Sequence, residues 1–337
     1  MSSNALDLHR RSIVVDTHCD TLKCLTQEFT RTKGSMWKDR SSVGMGVRSE
    51  LGHVDIPRLR DGGVDCQVFA VSSARDRTPP HALRTALDMI DVFHGECERN
   101  SDAIRPVTCH DDIVEAVGEG KVAAMLSIEG ADVIEGRLSM LRVFHRLGVR
   151  MVGLVHSLRN LLADGVSDAR TGGGLSELGV KVVEELDRLG VIVDVSHIND
   201  AGFWDVNDIS RNPVIASHSN SRAICGHPRN MTDDMIVALA DGGGVMGMNF
   251  APSFVHPTAP TVETLVNHVD HIVDLVDSDH VGLGSDFDGI RSTPVGLEDV
   301  TKMPGITEEL LRRGYGEDDV KKILGGNHLR LIKRVVG

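Results

Sequence analysis

Residues 12–20 read Ser12-Ile-Val-Val-Asp-Thr-His-Cys-Asp20: a short apolar run followed at once by two side chains that bind metals. The run Ser12–Thr17 shows no apolar/polar alternation, which suits a strand buried on both faces of a parallel sheet. Seven further runs share this character: Cys66–Val71, Val122–Ile128, Met151–Val155, Val191–Ser196, Val214–Ser217, Val245–Asn249 and His280–Ser285. Between them lie stretches with helical spacing and helix punctuation. Leu178–Leu189 repeats apolar residues at three and four and stops at Gly190, a C-cap signal. Leu138–Leu147 does the same before Gly148, and Thr232-Asp-Asp supplies an N-cap with an acidic first turn. From Gly305 onward the chain reads as helical, with Gly325-Gly326-Asn327 expected to break the helix before a final amphipathic turn.

Eight strand–helix alternations predict an α/β fold, a single (β/α)8 TIM barrel covering residues 1–337 as one domain, because eight parallel strands close on themselves. The rival is an open doubly wound sheet. No GxGxxG follows the first run, so a nucleotide-binding version has no support. Two aperiodic stretches, Glu28–Gly52 and Leu158–Gly174, read as long βα loops over the mouth of the barrel.

A formal charge of −13 argues against nucleic acid as a partner, and 3% aromatic residues argue against base stacking. The six cysteines contain no CxxC pair, so neither a disulfide framework nor a thiolate zinc site is expected. Residues 1–11 are polar, and no run is long enough to span a bilayer; a cytoplasmic protein with no membrane partner is the expectation.

The polar residues carry the chemistry. His18 and Asp20, Glu129, His156, His197, His218, Asn249 and Asp286 each stand at the C-terminal end of a predicted strand. A barrel brings those ends to one mouth. His18 and Asp20, two apart on a strand, share a side and can bind one ion. His197 and His218 can hold a second, and Glu129 has two oxygens with which to bridge both. Such a His and carboxylate set suits two Zn²⁺ ions, or similar divalent metals, better than Mg²⁺ or Ca²⁺. A metal pair supplies a bridging hydroxide and polarises a carbonyl, with Asp286 as the proton shuttle. Each residue taken singly has a plainer explanation: Arg229 as a surface cation, Asp288 as a turn former before Gly289, His156 as a satisfied loop residue. The conjunction of strand ends is what points to a metal site. Other histidines, among them His9, His53, His81 and His328, fall on helices or loops and are read as structural.

Taken together these residues resemble the membrane (renal-type) dipeptidase family of binuclear-zinc amidohydrolases. The matching segments are Asp16-Thr-His18-Cys-Asp20, Ile128-Glu129-Gly130, Val155-His156-Ser157 with Asn160 and Ala163-Asp164, and Val193-Asp194-Val-Ser-His197. They continue with Val214-Ile-Ala-Ser217-His218-Ser219, Pro228-Arg229-Asn230 with Asp233-Asp234, and Gly284-Ser-Asp286-Phe-Asp288-Gly289. The resemblance implies one zinc on His18, Asp20 and Glu129 and another on Glu129, His197 and His218. It implies that His156 stabilises the oxyanion, that Arg229 binds the substrate carboxylate, and that Asp286 is the acid–base and contacts the substrate amine. It further implies a small L-Xaa–L/D-Xaa dipeptide as substrate and a homodimer. The family's Trp shortly after the His-X-Asp motif is replaced here within Thr21-Leu22-Lys23, and a Tyr of the seventh-strand loop by Phe254. Two alternatives remain: a related amidohydrolase acting on an N-acyl D-amino acid, a β-lactam or another small amide, and a barrel that binds a partner without catalysis.

Overall fold

The computed structural model describes residues 2–26, 30, 35–72 and 79–337. The early part of the Glu28–Gly52 loop and the side chain of His81 lie outside what is described. Nine parallel strands form the sheet: β1 Val15–Cys19, β2 Cys66–Ser72, β3 Ile104–Pro106, β4 Val122–Glu129, β5 Val149–Gly153, β6 Ile192–Asp194, β7 Ile215–Ala216, β8 Val245–Met248 and β9 Val281–Leu283. The order β2-β1-β9-β8-β7-β6-β5-β4, with β4 returning to pair with β2, closes an eight-stranded barrel. All eight predicted runs became these strands, and helices lie between them.

The extra strand, β3, pairs with the start of β4 (Ile104 with Val122), on the flank where β5 pairs with its end (Glu129 with Gly153). Its Ile-Arg-Pro sequence has no apolar run to announce it. The first strand also begins later than expected. Val14 is occupied by the turn before β2, donating to Asp65 and accepting from Cys66, so ladder pairing starts at Val15.

Period-two alternation decides what faces the barrel interior. On β4, Ala123 and Met125 pack with Val15, Cys66, Val68, Met151, Ile192, Ile215 and Val245 in one apolar cluster. Val122, Ala124, Leu126 and Ile128 pack outward against the helices. Glu129 has the parity of Ala123 and Met125, which aims a carboxylate into the mouth above that core. Leu331, Ile332 and Val335 of the last helix join the same interior cluster and plug the opposite end.

The helix 177–189 has Ser176 as N-cap and Gly190, at φ 66°, as left-handed C-cap; 233–241 has Thr232 as N-cap. The expectation of a break at Gly325-Gly326 was wrong. The chain runs as helix from Glu317 through a π-turn at Lys322–Gly326 into Asn327–Val335. These glycines serve close packing: a Cβ on Gly325 would lie 2.2 Å from the carbonyl oxygen of Ile13. Asp288 is more than a turn former, since its buried carboxylate accepts from Thr21 Oγ1 and from the His53 amide. His9 and His328 are core residues bonded to the carbonyls of Gly62 and Leu283. All six cysteines are free. Among the described residues, no helix is long and apolar enough to cross a membrane.

Candidate metal centre

Strand ends converge as closure requires. Glu129 is the last residue of β4, His18 lies in β1, and Asp20, His156, His197, His218 and Asp286 follow their strands within one to three positions. Glu129 sits at the centre. Its Oε1 lies 3.1 Å from Nε2 of His197, 3.5 Å from that of His18, 3.6 Å from that of His156 and 3.7 Å from that of His218. Three sets of donor atoms each gather within 4.8 Å: His18, Glu129 and His218; Glu129, His156 and His197; and His18, Asp20 and Asp286. His156, expected only to stabilise an oxyanion, therefore stands among the donors.

Two observations show that this set fits a cation. Nε2 of His18 is buried and has no hydrogen-bond partner among the described residues. Nε2 of His197 and Nε2 of His218 face each other at 2.9 Å. The tautomer of His218 follows from its neighbour. Ser217 Oγ donates its single proton to Asp194 Oδ2 at 2.6 Å, so the 2.7 Å contact with His218 must be donated by Nδ1–H. That leaves the Nε2 lone pair aimed at the centre. Ser157 Oγ meets Nδ1 of His197 at 2.8 Å and orients that ring in turn.

Two matching braces hold the ligand-bearing segments. Asp16 on β1 takes the Ser285 amide on Oδ1 (2.8 Å) and the Ser285 hydroxyl on Oδ2 (2.6 Å). Asp194 on β6 takes the Ser217 amide on Oδ1 (2.9 Å) and the Ser217 hydroxyl on Oδ2. Each serine immediately precedes a site residue, Asp286 in one case and His218 in the other. Sequence reasoning quoted these aspartates and serines but gave them no role. The repeated sign was there: an Asp two or three residues before a ligand, then a Ser just before another site residue.

The backbone at the mouth is strained. Ser157 (φ 60°), His197 (φ 70°) and Asp286 (φ 63°) all occupy the left-handed region, which costs a non-glycine residue roughly 1–2 kcal/mol. Gly289 is required by crowding, because a Cβ there would lie 2.2 Å from Asp286 Oδ1 and 2.3 Å from Asp20 Oδ2.

Electrostatics separate the groups. Burial pushes Glu129 upward, but Lys23, His156 and His18 outweigh it and hold the carboxyl well below its usual range. Burial, reinforced by Asp20 and Glu129, pushes Asp286 up to about 7, against the pull of His18 and the Asn249 amide that bonds its Oδ2 at 3.1 Å. Burial and nearby cations, Arg229 among them, keep His197 and His218 well below the usual imidazole range, hence neutral and able to ligate. Lys23 is a residue the sequence reading missed. It is 4% exposed, and its Nζ stands 2.7 Å from Asp20 Oδ1 and 3.1 Å from Glu129 Oε2. Burial would lower its pKa, yet the two carboxylates raise it, so it is an ammonium.

A cavity of about 460 Å³ opens over the centre, lined by Lys23, Trp37, His156, Arg229, Phe254 and Asp286 among others. Arg229 is 6% exposed; it donates to the His218 carbonyl (3.0 Å) and Ser219 Oγ (3.3 Å), while its Nε has no partner among the described residues. A buried guanidinium with a spare donor, beside a cavity of small-ligand size, has the chemistry to attract an anion.

The sequence profile of the membrane dipeptidase family, peptidase family M19, matches residues 2–336. The dipeptidase tcpJ of Claviceps purpurea is 36% identical over 295 residues, which cover 84% of this chain and 69% of that protein. The dipeptidase verJ of Clonostachys rogersoniana is 36% identical over 296 residues, covering 85% and 76%. Among solved structures, a metallopeptidase from Rhodobacter sphaeroides, liganded with a phosphinate mimic of L-Ala-D-Ala, superimposes with a TM-score of 0.85 at 28% identity, over 96% of this chain and 99% of that one. The probable dipeptidase PvdM from Pseudomonas aeruginosa gives 0.88 at 25% identity, over 98% and 97%. A match of this extent, in sequence and in barrel, places the chain by more than its mouth: it belongs to the membrane dipeptidase family.

Proposed function

We propose that the chain hydrolyses small L-Xaa–L/D-Xaa dipeptides, with divalent ions, zinc foremost, held by His18, Asp20, Glu129, His197 and His218. The observation that carries this reading is the single cavity in which the Glu129 cluster, Arg229 and Asp286 face one another. Bound ions there would polarise the scissile carbonyl and permit attack by water near neutral pH. The protein's own groups do the rest. Arg229, which lines the cavity, takes the C-terminal carboxylate with its guanidinium and so fixes the direction of the peptide. Asp286, whose burial brings it near neutrality, accepts the proton of the attacking water on its carboxylate and returns it to the departing amine. His156, 37% exposed and facing the cavity, hydrogen-bonds the oxygen that gains negative charge. The relative from Rhodobacter sphaeroides, holding a mimic of L-Ala-D-Ala, supports a dipeptide substrate and a D-residue at its C-terminal side.

A panel of free dipeptides of mixed stereochemistry, carboxylate-blocked analogues and N-acyl amino acids tests the proposal. Free dipeptides should turn over fastest, and Arg229→Ala should erase most of their advantage over blocked analogues. Equal turnover of blocked and free peptides by the unaltered chain would refute the role of Arg229. Faster cleavage of N-acyl amino acids would move the activity to the related amidohydrolase class.

A further inference from the structure

The two oxygens of Glu129 do not see the same surroundings. Oε1 faces four imidazoles, all between 3.1 and 3.7 Å. Oε2 faces the Lys23 ammonium at 3.1 Å, and the same ammonium stands 2.7 Å from Oδ1 of Asp20. A carboxylate that bridges two ions offers one oxygen to each. Here one oxygen looks into the donor cluster and the other is already taken by a positive charge.

Asp20 and Glu129 are the two carboxylates assigned above to one ion, together with His18. Zinc approaches carboxylate oxygen at about 2.0–2.2 Å. An ammonium that donates to Oε2 of Glu129 and forms an ion pair with Asp20 stands where the ion would have to sit and repels it by charge. A buried lysine is costly unless paired, and Lys23 is paired with these two groups. In the same position Nζ lies 5.4 Å from the ring centroid of Trp37, which lines the cavity.

We infer that Lys23 stands in for one of the two ions, on Asp20 and Oε2 of Glu129. The chain thus retains one divalent ion tightly among the imidazoles and admits a second only by displacing the lysine. This rests on the proposed division of ligands between two ions, though not on which peptide is cleaved.

Metal counting tests it on the full chain. Metal-free protein is equilibrated against buffered zinc, and bound zinc is measured by elemental analysis for the unaltered chain, Lys23→Met and Lys23→Gln. The glutamine variant serves should the methionine variant fail to fold. The unaltered chain should bind one zinc tightly and a second at least about tenfold more weakly, and the variants should gain about tenfold or more for the second. Zinc should also raise the melting temperature of the variants more than that of the unaltered chain, because metal-free variants keep two buried carboxylates without their cation. Two equally tight ions in the unaltered chain, unchanged in the variants, would overturn the role of Lys23 and leave the two-ion division standing. A single ion at saturation in all three proteins would overturn the division and the role of Lys23 with it.

Discussion

The β1/β9 and β6/β7 halves of the mouth are built on the same brace and deliver opposite chemistry. In each, a buried aspartate grips the amide and hydroxyl of a serine on the neighbouring strand. The half around Asp16 then presents His18, Asp20 and Asp286, with Lys23 balancing the acids. The half around Asp194 presents His197 and His218, both kept neutral by burial and nearby cations. The brace sets position, while the residue after the serine sets function. A further difference is in reach: Ser217 Oγ extends the chain to the ring of His218, whereas Ser285 Oγ meets the backbone carbonyl of His18 at 3.2 Å.

The strongest way to break this comparison is to alter the two residues that follow the serines. Asp286→Asn should keep metal at the level of the unaltered protein while lowering kcat by about 10³-fold, since a proton carrier is lost and no ligand is. His218→Asn should lose the metal itself. Elemental analysis beside turnover reads both, and metal loss in the Asp286 variant would make that residue a ligand instead.

The serines themselves should give smaller and unlike effects. Ser217→Ala removes the acceptor that fixes the His218 tautomer, and zinc affinity should fall by about 10-fold to 100-fold. Ser285→Ala removes no contact to a ligand side chain, so zinc affinity should hold while kcat drops modestly through a misplaced Asp286. Equal losses of affinity in the two variants would show the braces to be interchangeable supports.

The smallest effect lies behind the mouth, where each half rests on a buried histidine. His328 packs against Gly282 of β9 and bonds the Leu283 carbonyl. His268 accepts the Ser221 amide, in the segment after β7. Burial lowers both to about 4. A base depressed in the folded state favours folding fully above the unfolded value near 6.5, and that stability is lost as pH falls from there toward 4. Between pH 7 and 5 each histidine should cost about 2 kcal/mol of stability. Denaturation of His268→Asn and His328→Asn at both pH values should show a shallower decline than the unaltered chain.

How much of this was legible beforehand differs by element. Val191–Ser196 and its fellows announced the eight barrel strands because burial on both faces demands unbroken apolar runs. Ile104–Pro106 gave no such sign, since pairing along part of one flank of β4 makes no demand on composition. The ligand residues were legible because each stands next to its strand. Lys23 was not, for a lysine in a short helix reads as a solvated cation until the fold buries it. Gly325-Gly326 misled for a related reason: glycine weakens a helix locally, yet here it admits the backbone of β1.

The sequence by itself determined which chemical groups are tethered to which strand ends, because covalent adjacency survives any folding. Only the tertiary structure decided their pairings. Asp16 meets Ser285 across 269 residues, and Oε2 of Glu129 meets Lys23 across 106. Such contacts depend on strand register and on barrel closure, which are properties of the packed sheet as a whole and of no segment within it.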